Sequence, residues 1–189
     1  MNRNDALMIV NEFVKNPNLV NHMLAVEAAM QFYAKKLDQN EEAWRITGLL
    51  HDYDWEIHPT LAQHPTAGIQ TLRERGVSEE IIHSILAHGV ETGIARVTLL
   101  DKGLFACDEI TGLITAVAII RPSRSLYDLT SNSIKKKWKD RAFAAGVNRE
   151  EIVQAANDFG IDLGDHIENV IFAMRGIAPE LGLVGTLAP

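Results

Sequence analysis

Seven histidines lie at positions 22, 51, 58, 64, 83, 88 and 166, and their placement says more than their number. His88 follows Ile81 and Ile85 at spacings of four and three, which puts it on an apolar helix face. His22 stands at the edge of an apolar stripe, one turn before Val26, and His51 follows Thr47 by four in a segment that buries Ile46 and Leu50. Asp108 sits in LFACDEITGLITAVAII, which is apolar nearly all round, so Asp108 and Glu109 cannot both easily reach water. A buried carboxylate is costly unless it is paired or binds a metal. Imidazoles and carboxylates converging on one interior suit Zn, Mn, Fe or Co, and the set lacks the thiolates of a structural zinc site. A single histidine on an apolar face is more often a hydrogen-bonded core residue, and Asp108 alone is equally satisfied by an arginine. His58, His83 and His166 fit that plainer description.

The elements that must position these groups read as helices. Asn4 is a candidate cap for a first helix through about Lys15, and Asn16-Pro17 restarts the chain with Pro17 at the first helical position. Leu19, Met23, Val26, Met30, Tyr33 and Leu37 then define one stripe. Asn40 caps EEAWRITGLLHDYD, with two glutamates in the first turn where the helix dipole favours them. His64-Pro65 opens a helix that Gly76 closes, and Ser78 and Gly89 bracket SEEIIHSILAHG. A long helix runs from about Asp101 to Ile120, the RPSRS loop follows, and further helices lie near IKKKWKDRAF, REEIVQAANDF and GDHIENVIFAM. The tail GLVGTLAP reads as loose. With no strand-like alternation, the fold class is all-α: one domain over 1–189, with a core of about 18–125 and a helical extension of about 126–189.

Bulk properties narrow the function. The 189 residues suffice for one helical core, and 47% hydrophobic with 23% charged residues is an ordinary globular composition. The formal net charge of -7 opposes non-specific nucleic-acid binding, so an anionic substrate needs cations placed for it. The single cysteine, Cys107, forms no disulfide within the chain and favours a reducing compartment. The N-terminus lacks the apolar core of a signal peptide, and the apolar stretch near Leu113 to Ile120 is too short to span a bilayer, so the chain is read as cytoplasmic with no membrane partner.

The order of residues adds a family. His22, then adjacent His51-Asp52, then His64-Pro65-x-x-Gly68, then His88, then Asp108, resembles the HD-domain superfamily of metal-dependent phosphohydrolases, and its two-metal, HDIG-like branch in particular. The resemblance covers about residues 18 to 125. It implies a helical bundle in which His22, His51, Asp52 and Asp108 hold one divalent ion. His64 and His88 join a second, with Asp52 bridging. The ions would be Mn, Fe, Co, Zn, Ni or Mg, activating a water against a phosphate ester or nucleotide, with Asp52 or Asp54 assisting as a base. The sequence departs from the family where HDYDWE places Trp55 at the position of the HDIG lysine, and no GYP motif follows His88-Gly89.

Substrate-side candidates come from charge. Arg121 and Arg124 follow the helix of Asp108 in a loop, and Lys102 is a weaker candidate. The run Lys135, Lys136, Lys137 and Lys139 reads mostly as a solvated face. Gly112 either admits a close neighbour or is a plain packing glycine, and Trp44, Trp55 and Trp138 either stack on a base or pack. A diiron oxygenase and a non-catalytic metal-binding regulatory module are the alternative functions. The reading takes a small phosphorylated molecule as partner and leaves a homodimer open.

Overall fold

The computed structural model describes residues 1–186; Leu187, Ala188 and Pro189, at the end of the tail, lie outside the described residues. The protein is all-α, with no strand among the described residues. Its helices are α1 (Arg3–Phe13), α2 (Pro17–Lys36), α3 (Glu41–Leu50), α4 (Ile69–Glu74), α5 (Glu79–His88), α6 (Leu99–Ile120), α7 (Ser131–Trp138), α8 (Arg149–Phe159) and α9 (Leu163–Arg175). By contact density the chain divides into two compact units, Met1–Phe105 and Ala106–Pro189, and the bounds of α6 run across the division.

Local chemistry explains most boundaries of the first unit. Asn2 rather than Asn4 caps α1, exchanging hydrogen bonds with Asp5 in a capping box. Asn16 and Pro17 start α2, and the side chain of Asn40 accepts from Ala43 N to start α3. Met23, Val26, Met30 and Tyr33 of the α2 stripe are buried, whereas Leu37 falls past the helix end and is exposed. The expected helix through HDYD stops at Leu50, and residues 51–57 form successive turns. A short 3₁₀ turn, Thr66–Gly68, precedes α4.

Met23, Ile46, Leu49, Leu50, Tyr53, Ile69, Leu72, Ile82 and Ile85 belong to one apolar cluster joining α2 to α5. Buried carboxylates fasten its edges. Glu27 on α2 accepts from Arg3 of α1 and, at 2.9 Å, from Arg45 of α3. Asp101 accepts from Ser84 Oγ of α5 at 2.5 Å and from the backbone N–H groups of Val97 and Thr98 at 2.9 and 2.8 Å. Burial pushes the Asp101 carboxyl up, but the bonds from Ser84 and Thr98 outweigh it and hold it below its ordinary value.

By length and mean hydropathy α6 matches a membrane span, contrary to the expectation from Leu113 to Ile120 alone, because the helix begins at Leu99. Its most apolar window is 61% buried within the protein, which marks it as a core helix.

In the second unit, Leu126, Leu129, Ile134, Ile152, Ile167, Val170, Ile171 and Met174 are buried. Arg149 donates to the carbonyls of Asp140, Phe143, Ala144 and Val147, and so closes the turns between α7 and α8. The tail is tied down rather than loose as far as Thr186: Leu126 N donates to Leu183 O at 2.9 Å and Thr186 N to Ser123 O at 3.0 Å.

Gly48 fixes the spacing of α2 and α3. A Cβ there would lie 2.8 Å from both Cα and N of Glu27, backbone atoms that cannot rotate away. Gly48→Ala is expected to cost about 1–3 kcal/mol, read as a lower urea midpoint with unchanged slope. An unchanged midpoint would show that the two helices separate freely.

Candidate metal centre

His22 projects from the second turn of α2, and His51 is the first residue past α3, still with helical backbone angles (φ −59, ψ −37). The Nδ1–H of His51 donates to Gly48 O at 2.9 Å, one turn back, which presents Nε2 toward His22 Nε2 at 3.2 Å. The glycine that sets the helix spacing therefore also orients the imidazole. His64 ends the loop after the HD turns, and His88 is the last residue of α5. His88 donates Nδ1–H to Ile85 O, and His64 donates Nδ1–H to Asp54 Oδ1 at 2.7 Å. Their Nε2 atoms face each other at 3.1 Å.

Asp52 lies between the two pairs. Its Oδ2 is 3.5 Å from His51 Nε2 and 3.7 Å from His22 Nε2. Its Oδ1 is 3.1 Å from His64 Nε2 and 3.7 Å from His88 Nε2. Each carboxylate oxygen thus serves one imidazole pair. Asp52, His64 and His88 each offer a ligand atom within 4.8 Å of the others.

This donor set fits a cation. His51, His64 and His88 have each committed Nδ1–H to an oxygen, so Nε2 is the nitrogen turned to Asp52. Imidazole nitrogens facing each other beside a carboxylate form a nitrogen and oxygen donor set that a divalent ion can occupy. The electrostatics agree. Burial pushes the Asp52 carboxyl up, but His51, the hydrogen bonds of His64 and His88, and His22 hold it well below the usual carboxylate range. Burial lowers the His64 pKa, and hydrogen bonds to Asp52 and Asp54 overcome this and raise it to about 9.

The centre opens on one side. His22 and Asp52 keep 22% and 17% of their side-chain surface exposed, whereas His51 keeps none and His64 and His88 keep 5% each. His22 and Asp52 are thus the parts of the centre that solvent touches most.

The remaining candidates are placed as follows. Asp54 is fully buried and engaged with His64. Asp108 lies on α6, in the second unit. Lys102 is half-buried on the first-unit part of α6. Arg121 is engaged within its own unit with Asp128 and Ser133, and Arg124 is exposed with φ 48. Lys135, Lys136 and Lys139 are exposed, as a solvated face requires. Trp44 is buried and packs, while Trp55 is half-buried with its ring edge-on to His64 at 5.0 Å. Gly112 admits no close neighbour among the described residues, since a Cβ there would meet nothing within 4 Å. Glu56 turns away from the centre and accepts from Lys15 N and Asn16 N.

Three features escaped sequence reasoning. The Asp54–His64 bond spans ten residues of loop and left no periodic signal. The cap by Asp101 was missed although Thr98-x-x-Asp101 has capping-box spacing that could have signalled it, and Asp101 also meets the half-exposed His83 at 3.2 Å. Arg96 stacks 3.6 Å from the Phe105 ring centroid and donates to Ala87 O, beside His88, which anchors the loop after α5.

The raised pKa of His64 has a stability consequence in the metal-free chain. Its contribution is fully present below its unfolded value near 6.5 and is lost as pH rises through about 9. With EDTA present, urea unfolding is expected to show a loss of about 2 kcal/mol between pH 7 and pH 10, and His64→Gln to flatten that limb. Equal pH profiles for the two proteins would contradict the assignment.

Comparison with known proteins gives the family. The HD domain family model matches residues 19–113, about half of the chain. The ribonuclease Y proteins of Thermotoga maritima and Thermosipho melanesiensis are each 35% identical over 72 residues, which is 38% of this chain and 14% of theirs. The chain thus spans about a seventh of the length of those relatives. No solved structure matches. Histidines and an aspartate in the family's order, brought together around one carboxylate, and a family match that contains every one of them, place this chain in the HD-domain family.

Proposed function

We propose that the protein is a metal-dependent phosphohydrolase that hydrolyses a small phosphate ester or nucleotide in the cytoplasm. The observation that carries this reading is Asp52, whose two oxygens face two separate imidazole pairs. That arrangement suits two ions bridged by one carboxylate, and HD domains belong to a superfamily of metal-dependent phosphohydrolases.

His22 and His51 hold one position and His64 and His88 the other. The family's order of ligands implies Asp108 as a further ligand. Ions bound there supply an activated water and neutralise phosphoryl oxygens. The chain's own part is to keep Asp52 ionised through the imidazoles around it, to fix each ring by its Nδ1–H bond, and to leave only the His22 and Asp52 side open to substrate. Arg124 and Lys102 remain the proposed phosphate contacts, with Arg121 joining only if it releases Asp128. Trp55, beside His64, offers an aromatic edge to a nucleobase. The similarity to proteins named ribonuclease Y adds RNA to the substrates worth testing, although the negative net charge argues for a small molecule.

The test is phosphate release by the full chain with Mn or Co across mono- and diesters, nucleotides and a short RNA. His51→Ala with Asp52→Ala is expected to lower turnover by about a thousandfold or more and to remove bound metal. Wild-type turnover in that variant would refute the proposal. Oxygen consumption by the iron-loaded chain without phosphate release would transfer the assignment to a diiron oxygenase.

A further inference from the structure

Asp54 is the one carboxylate beside the centre that touches neither solvent nor the open side. It is fully buried, its Oδ1 accepts the Nδ1–H of His64 at 2.7 Å, and its Oδ2 finds no hydrogen-bond donor among the described residues. A buried, half-satisfied carboxylate is expensive to keep unless charge is delivered to it through its partner. The neighbourhood is shaped to keep it there. A Cβ on Gly68 would lie 2.7 Å from Asp54 Oδ2 and from Tyr53 Oη, and the Tyr53 hydroxyl donates to Gly68 O. The glycine of the His64-Pro65-x-x-Gly68 motif thus leaves room for the Asp54 carboxylate.

We infer that Asp54 is a positioning residue that selects the His64 nitrogen that meets the ion, and that it tunes one of the two metal positions and not the other. The inference rests on the two-metal reading above. By accepting the Nδ1 proton, Asp54 fixes His64 in the tautomer whose Nε2 faces His88 and Asp52, and its charge makes that nitrogen a stronger donor. The Nδ1–H groups of His51 and His88 go to backbone carbonyls. The affinity of the His64–His88 position therefore depends on a carboxylate outside the ligand set.

The experiment is a calorimetric titration of Zn²⁺ into the metal-stripped full chain, paired with ¹⁵N spectra of the histidine rings. Wild type is expected to bind two ions, with the His64 Nδ1 still protonated in the loaded protein. Asp54→Asn keeps the shape and one acceptor but loses the charge, and is expected to weaken one of the two sites by about 10- to 100-fold while leaving the other unchanged. Asp54→Ala is expected to weaken it further. Tyr53→Phe, which disturbs the same contacts without removing charge, is expected to leave both affinities near wild type. Equal affinities in wild type and Asp54→Asn, a His64 bound through Nδ1, or the same selective loss in Tyr53→Phe would each overturn the inference while leaving the two-metal reading standing. A wild-type chain that binds no Zn²⁺ would overturn that reading itself.

Discussion

Four imidazoles converge on the Asp52 carboxylate, and the first unit is arranged around the cost of that convergence. Ring nitrogens 3.1 to 3.2 Å apart beside a carboxylate are stable only with positive charge among them. The protein assembles the cluster from turns and helix ends, where side chains of adjacent residues can be aimed at one point. His51 and His88 stand at the ends of α3 and α5, and each is locked by a hydrogen bond to the carbonyl three residues earlier. The ring directions are thus set by backbone, which packing already holds.

That packing in turn depends on close approach. Gly48 lets α3 lie against the backbone of Glu27, and Glu27 uses its buried carboxylate to gather arginines from α1 and α3. Asp101 ties α5 to the start of α6 through Ser84. A change at these positions acts on the centre from a distance, by moving the helix end that carries a ligand. Leu49, Leu50, Leu72 and Ile85 belong to the apolar cluster of the same unit.

What the sequence made legible follows from what is local. Caps at Asn16 and Asn40, the Met23–Val26–Met30–Tyr33 stripe and helices α8 and α9 are encoded in short windows and stand close to where the pattern puts them, whereas the helix expected over IKKKWKDRAF starts earlier and ends at Trp138. The family was legible because the order of histidines and aspartates resembles its pattern, and the match over residues 19–113 agrees. The end of α3 at Leu50 was not legible, because HDYDWE carries no breaker; Tyr53 and Asp54 in the turns there find partners later in the chain. The commitment of Arg121 to Asp128, seven residues on, was equally hidden, since a loop arginine and a loop aspartate show no periodicity. Asp54 changed most between the two views: a candidate base in the sequence, it is a buried partner of His64 in the fold.

The central proposal is that the imidazole pairs on either side of Asp52 would each hold a divalent ion. Anomalous diffraction from crystals of the full chain soaked in Mn²⁺, recorded at the Mn edge, tests it most directly. The account predicts two peaks, one on each side of the Asp52 carboxylate, the first contacting His22 and His51 and the second His64 and His88. Peaks elsewhere, or none at this cluster with Mn²⁺ in excess, would contradict it.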